Sequence, residues 1–164
     1  MKMEWIILVA VWLTTSSLFF FIPRKKLRLA QFVILFTQVI TWLIGLVVVQ
    51  LGWIDYPVRC FASANMTSFT FEYLAYPVVC GLFNARFPEN RSIGFKLFYY
   101  GSYCTILTIV EVVIEKNTKL IDYIHWAWYW TWITLFITFV MSRIFSKWFF
   151  SVSVPQVRIG ENHE

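Results

Sequence analysis

Charged side chains make up only 14% of the 164 residues. An ordinary soluble domain carries about 25%, so this chain has too few charges to clothe a water-facing surface. Glycine and proline are also scarce, at six and five, which excludes collagen-like and flexible-linker compositions. Three cysteines cannot all pair with one another, and neither a CxxC motif nor a Cys/His metal spacing occurs. With two histidines, one of them His163 in the tail, a histidine-rich metal site within one chain is excluded, and no metal or other cofactor is expected. HExxH, GxSxG, phosphate-loop and dinucleotide glycine patterns are missing too. The chain is not expected to be an enzyme.

What is abundant is apolar surface: 59% of residues are hydrophobic and 21% aromatic, with a mean hydropathy of +0.65. Disordered chains are poor in such residues. At about 20 residues per spanning helix, the length accommodates about five spans with short loops. Five apolar segments fit this count, over 5–22, 30–51, 69–87, 95–114 and 126–145. The dyad alternation of an outer-membrane barrel is absent, and lipid-exposed backbone must satisfy its own hydrogen bonds. The expectation is an all-α polytopic bundle of about five transmembrane helices, forming one domain over 1–150, with a polar cytoplasmic tail over 151–164. The first segment begins with a Lys like a signal peptide. No small-x-small cleavage site precedes Pro23-Arg24-Lys25-Lys26, and a retained helix is expected.

Lys and Arg set the orientation. Arg24, Lys25, Lys26, Arg28, Arg86, Arg91, Lys96, Arg143, Lys147 and Arg158 fall on one side, while Lys2, Arg59, Lys116 and Lys119 fall on the other. The richer side is expected to be cytoplasmic, which puts the N-terminus outside and the C-terminus inside the cell membrane. The basic loops are short and close to the bilayer. Anionic lipid headgroups are their expected partner, and nucleic acid is not. A homo-oligomer or another membrane protein is a further possible partner. Cys60 and the Asn65-Met66-Thr67 sequon fall in the loop between the second and third segments, which is expected to be external.

Ionisable groups in membrane segments are costly to bury and default to functional candidates. Glu111 and Glu115 are four apart and share a helical face, and Glu72 enters the third segment at the same external end. Antiparallel packing of the third and fourth helices would bring the three to similar depth, where they could hold a proton or a cation. The structural alternative pairs Glu115 with Lys119 and leaves Glu72 to the helix macrodipole. If residues 111–122 are helical, Glu111, Glu115, Thr118, Lys119 and Asp122 form one polar stripe. That describes an external interfacial elbow before the last helix. Beyond it, Trp126 and Trp130 share one face and Trp128 and Trp132 another. They read either as an interfacial belt or as an aromatic cage for an organic cation. His125 is a candidate proton shuttle or a residue bonded to headgroups. Gln38, Thr41 and Gln50 read as interhelical hydrogen-bonders. Pro77 predicts a kink, with a cavity near Tyr76 and Asn84.

Glu111, Glu115-Lys116, Thr118, Leu120-Ile121, Tyr123 and the Trp126, Trp128-Tyr129-Trp130 run resemble an uncharacterised family of small multi-spanning membrane proteins from spore-forming bacteria, named after a locus tag. The likeness is closest over 108–148 and implies a bacterial cytoplasmic-membrane location. It carries over no catalytic residue or ligand, and His125 stands where the family pattern has a smaller polar residue. The functional expectation is an integral membrane protein with a structural, sensory, or partner- or lipid-binding role. The alternative is a small proton- or cation-coupled transporter using Glu72, Glu111 and Glu115.

Overall fold

The computed structural model describes residues 2–152. The tail over 153–164, with Arg158 and His163, lies outside the described residues. Five α-helices, α1 (Lys2–Leu18), α2 (Leu27–Gln50), α3 (Tyr76–Ala85), α4 (Ile93–Asn117) and α5 (Trp128–Val152), are joined by short connections. A π-helical segment, Phe69–Ala75, runs directly into α3. Two two-residue strands, β1 (Ile54–Asp55) and β2 (Asp122–Tyr123), pair antiparallel. The fold is an all-α polytopic bundle, and α1, α2, α4 and α5, α1 with the short turn after it, are long and apolar enough to cross a membrane.

Local chemistry explains where each helix stops. Pro23 follows the 3₁₀ turn Phe19–Phe21 that ends the first segment, and its ring cannot donate to a continuing ladder. α2 closes with Gly52 at φ +68°, a conformation that costs a residue without Cβ little. There the Gly52 N–H bonds the Val49 carbonyl and the Trp53 N–H the Val48 carbonyl, the pairing of a Schellman cap. Ser92 caps α4 by accepting the Phe95 N–H, and Ser68 caps the π-helical segment by accepting the Phe71 N–H. Pro77 stands in the first turn of α3, and the Glu72 and Tyr73 carbonyls of the turn before it are taken by Thr41 and Gln38 of α2. The expected kink is thus a change of helix type at this junction.

The shortest helix sits at the centre. In α3, Val78, Cys80, Gly81, Leu82, Phe83, Asn84 and Ala85 are all buried, whereas α2 and α4 turn Leu35, Val39, Leu43, Ile106, Ile109 and Val113 outward. A helix buried all round needs neighbours on every side. Thr41 donates to the Glu72 carbonyl (2.5 Å) and Gln38 to the Tyr73 carbonyl (3.0 Å), which ties α2 to the π-helical segment. These are the interhelical bonds expected of Gln38 and Thr41.

At the basic end, Asn84 donates to the Cys80 carbonyl and to Ser142 Oγ. Arg143 there pairs with Glu89 and lies 4.4 Å from the Phe87 ring centroid. Asn84 therefore belongs to this polar node, away from Tyr76. Aromatic rings of Phe83, Tyr99, Tyr100, Tyr103 and Phe139 fill the layer above it.

The opposite end differs from a helical elbow. α4 stops at Asn117 because Thr118 turns extended (φ −142°, ψ 171°). Its hydroxyl donates back to the Ile114 carbonyl and accepts the Leu120 N–H. The polar stripe over 111–122 is broken there, so Asp122 leaves the face of Glu111. Among the described residues Glu115 and Lys119 form no ion pair; Lys119 lies near Glu4 of α1. Residues 118–127 fold back over the bundle. Leu120 and Ile121 are buried against Leu8, Val48, Ile54, Tyr56 and Phe71, and β2 docks on β1 in the register Ile54↔Tyr123. Two loops thereby make one lid.

Candidate functional site

Beneath the lid lies a cavity of about 60 Å³ lined by Thr41, Gly45, Tyr56, Glu72, Glu111 and Trp126, with Thr131 and Thr134 of α5 closing one side. A single water needs about 10–15 Å³, so the space holds several waters or a small ion with part of its hydration. Each wall comes from a different element: α2, the loop after it, the π-helical segment, α4, the lid and α5.

Glu111 is 7% exposed and accepts three hydroxyl donors. Tyr76 of α3 donates to Oε2. Tyr123 of the lid and Thr131 of α5 donate to Oε1, at 2.5 and 2.8 Å. Trp126 extends the chain by donating its indole N–H to Thr131 Oγ1 at 2.8 Å. Glu72 accepts the Tyr56 hydroxyl on Oε1 at 3.1 Å. The lid is thus pinned by two phenols, one on each carboxylate. Burial, and next the Glu72 and Glu111 carboxylates, hold the Tyr56 phenol protonated well above its ordinary range. Burial and then Glu111 do the same for Tyr123.

Hydroxyls satisfy the oxygens without neutralising the charge. Among the described residues no Lys, Arg or His stands within ion-pair distance of Glu72 or Glu111, whereas Glu89 pairs with Arg143 and Lys147. A further buried polar group stands next to Glu72. Thr67 is fully buried and its Oγ1 has no hydrogen-bond partner. That oxygen lies 2.8 Å from where a Cβ on Gly45 would stand, and Glu72 Cδ lies 3.1 Å from the same point. An orphaned buried hydroxyl costs about 1–3 kcal/mol, and here it sits beside a carboxylate at the cavity wall.

Of the residues singled out from the sequence, Glu72, Glu111 and Trp126 meet in the cavity. Glu115 is half-buried one turn beyond Glu111, on the lid side near Tyr123. His125 is exposed, and its backbone N–H bonds the Trp53 carbonyl. Trp130 is 43% exposed and touches Trp126 at 6.4 Å between ring centroids. With Trp128 and Tyr129 it forms an outward-facing belt, while Trp126, which precedes α5, turns inward. Sequence reading did not single out Tyr56 or Thr131, and it named Thr67 only as the end of the Asn65-Met66-Thr67 sequon. For Thr131 the available signal is its place five residues after Trp126 in an otherwise apolar entry. Tyr56 and Thr67 reach the site only through the folding of their loop.

Comparison with protein-family models, with curated proteins and with solved structures finds no match for the chain.

Proposed function

We propose that this integral membrane protein takes up a proton or a small monovalent cation at the Glu72–Glu111 site and acts as a carrier rather than an enzyme. One observation supports this above all: two carboxylates share a buried cavity, and among the described residues no basic side chain pairs with either. Burying an unpaired charge is expensive, so a proton or a cation from outside the chain completes the site. The location proposed is a bacterial cytoplasmic membrane with the lid outside. The asymmetry of Lys and Arg supports it.

The test is flux into proteoliposomes holding the full chain, followed with an internal pH dye under sodium, potassium and ammonium gradients. Wild type is expected to give cation- or proton-dependent flux. A charge-assisted hydrogen bond contributes about 1.5–3 kcal/mol, so Glu111→Gln and Glu72→Gln should each reduce flux about tenfold or more. Wild-type flux that both variants leave intact, or no flux above empty liposomes, overturns the reading.

A structural role has one specific support: Glu111 joins α3, the lid and α5 through Tyr76, Tyr123 and Thr131. On that reading both variants melt earlier and no flux exists to be lost.

A further inference from the structure

A second cavity, of about 340 Å³, lies on the other side of Glu111. Its walls come from α1 (Ala10, Val11, Leu18), α3 (Val79) and α4 (Leu107, Ile114), and Glu111 and Tyr76 stand in both this cavity and the one under the lid. α1 packs against the π-helical segment and α3, while α4 packs chiefly on α5. The apolar groove between α1 and α4 results from that splay. Glu111 stands in its wall between Leu107 and Ile114.

From this arrangement we propose that the groove binds an amphipathic organic cation, with the hydrocarbon part between α1 and α4 and the ammonium head at Glu111 and Tyr76. The inference rests on the reading of Glu72 and Glu111 as a cation site and assigns an organic cation to the groove side of Glu111. Three features select this occupant. The volume falls within the range of about 300–1,000 Å³ found for small-molecule pockets. The walls are hydrocarbon apart from Thr14 and Thr15 on α1 and the pair Tyr76 and Glu111, which suits an alkyl chain. The carboxylate in the wall has no basic partner among the described residues, so the occupant supplies the positive charge. A phenol ring beside that carboxylate adds cation–π attraction, which quaternary ammonium heads use. A neutral acyl chain would fill the walls and leave Glu111 uncompensated. A bare inorganic cation would satisfy Glu111 and leave the groove unfilled.

The experiment uses the full chain in nanodiscs and tritiated decyltrimethylammonium, with empty nanodiscs as the reference for lipid partitioning. Saturable binding above that reference is expected. Unlabelled decyltrimethylammonium should compete, and decanol and tetramethylammonium should compete at least about tenfold less well, since each lacks one of the two contacts. Glu111→Gln removes the counter-charge and should weaken binding by a similar factor. Ala10→Phe fills the groove from the α1 wall without touching the hydroxyl network, and should abolish saturable binding even if Glu111→Gln fails to fold. Equal competition by decanol overturns the proposal in favour of a plain hydrocarbon slot. Equal competition by tetramethylammonium, or full binding by Ala10→Phe, places the cation elsewhere and also overturns it. Absence of saturable binding in a protein that still gives Glu72-dependent flux removes this inference alone. If that flux is missing as well, the carrier reading falls with it.

Discussion

Gly45→Ala and Gly101→Ala place the same methyl group on two transmembrane helices, and the structure gives them opposite signs. Gly101 lies inside α4 with nothing within 4 Å of an added Cβ. There alanine should gain up to about 1 kcal/mol, the difference in helix propensity. At Gly45 in α2 the methyl would stand 2.8 Å from Thr67 Oγ1, 3.0 Å from Glu72 Cγ and 3.1 Å from Glu72 Cδ. The neighbours are not free to withdraw. Thr67 is fully buried, and the Glu72 carbonyl is held by Thr41 from one turn earlier on the same helix. Overpacking of this kind costs about 1–3 kcal/mol. Because the propensity gain is common to both variants, their difference isolates the clash. For a chain of this size about 2–4 °C accompany each kcal/mol, so Gly45→Ala should melt about 2–12 °C below Gly101→Ala. Thermal unfolding in nanodiscs, followed by circular dichroism, measures both. Gly45→Ala should also lose cation-dependent flux, because the methyl pushes on Glu72 itself. Equal melting temperatures, or a Gly45→Ala protein more stable than Gly101→Ala, would refute the close approach of α2 to Glu72.

Two further outcomes are expected. The Tyr56 and Tyr123 phenols are held protonated in the fold by burial and by the carboxylates Glu72 and Glu111, whereas in the unfolded chain they ionise near the ordinary value of about 10. Their contribution to stability is therefore complete below about pH 10 and is lost as pH rises beyond it. Melting temperatures taken between about pH 8 and about pH 11 should fall at the alkaline end, and less steeply in Tyr56→Phe; identical slopes would count against the lid being pinned by that phenol. Cys60, half-buried in the loop after β1, should react with a membrane-impermeant maleimide on intact cells, while buried Cys80 and Cys104 should not. Labelling of Cys60 only after lysis would reverse the orientation.

The apolar runs and charge clusters foretell a helical bundle because hydrophobic length is a property each segment carries by itself. The depth of Glu72 and Glu111 was legible for the same reason. The lid was not. β1 and β2 are two residues each, too short to leave an alternation in the sequence, and they pair across 66 intervening positions between Asp55 and Asp122. The helix drawn through Asp122 failed at a local signal, Asn117-Thr118, whose side chains both bond back to α4 carbonyls. Leu120 and Ile121 offered a second clue, since two apolar residues amid polar ones need cover. They find it in the core under β1.

The segment with the weakest claim to span a membrane is the one around which the site is built. Glu72, Pro77 and Asn84 lower its hydropathy, but α3 is enclosed by protein, so its polar groups meet hydrogen-bond partners instead of lipid. The π-helical turn that precedes it carries Glu72 toward α4, in keeping with the occurrence of such turns at functional sites. The same enclosure sets the condition for transport. Between the acidic cavity and the basic node of Asn84, Ser142 and Arg143 stands Phe83, fully buried, with five aromatic rings at centroid distances of 4.5 to 5.5 Å. For the proposed carrier, uptake needs the lid to lift, which breaks the Tyr56 and Tyr123 contacts and withdraws Leu120 and Ile121 from the core, whereas release at the basic end needs α3 to move against α4 and α5. The proposed carriage therefore rests on two separate movements, of the lid for binding and of the central helix for release.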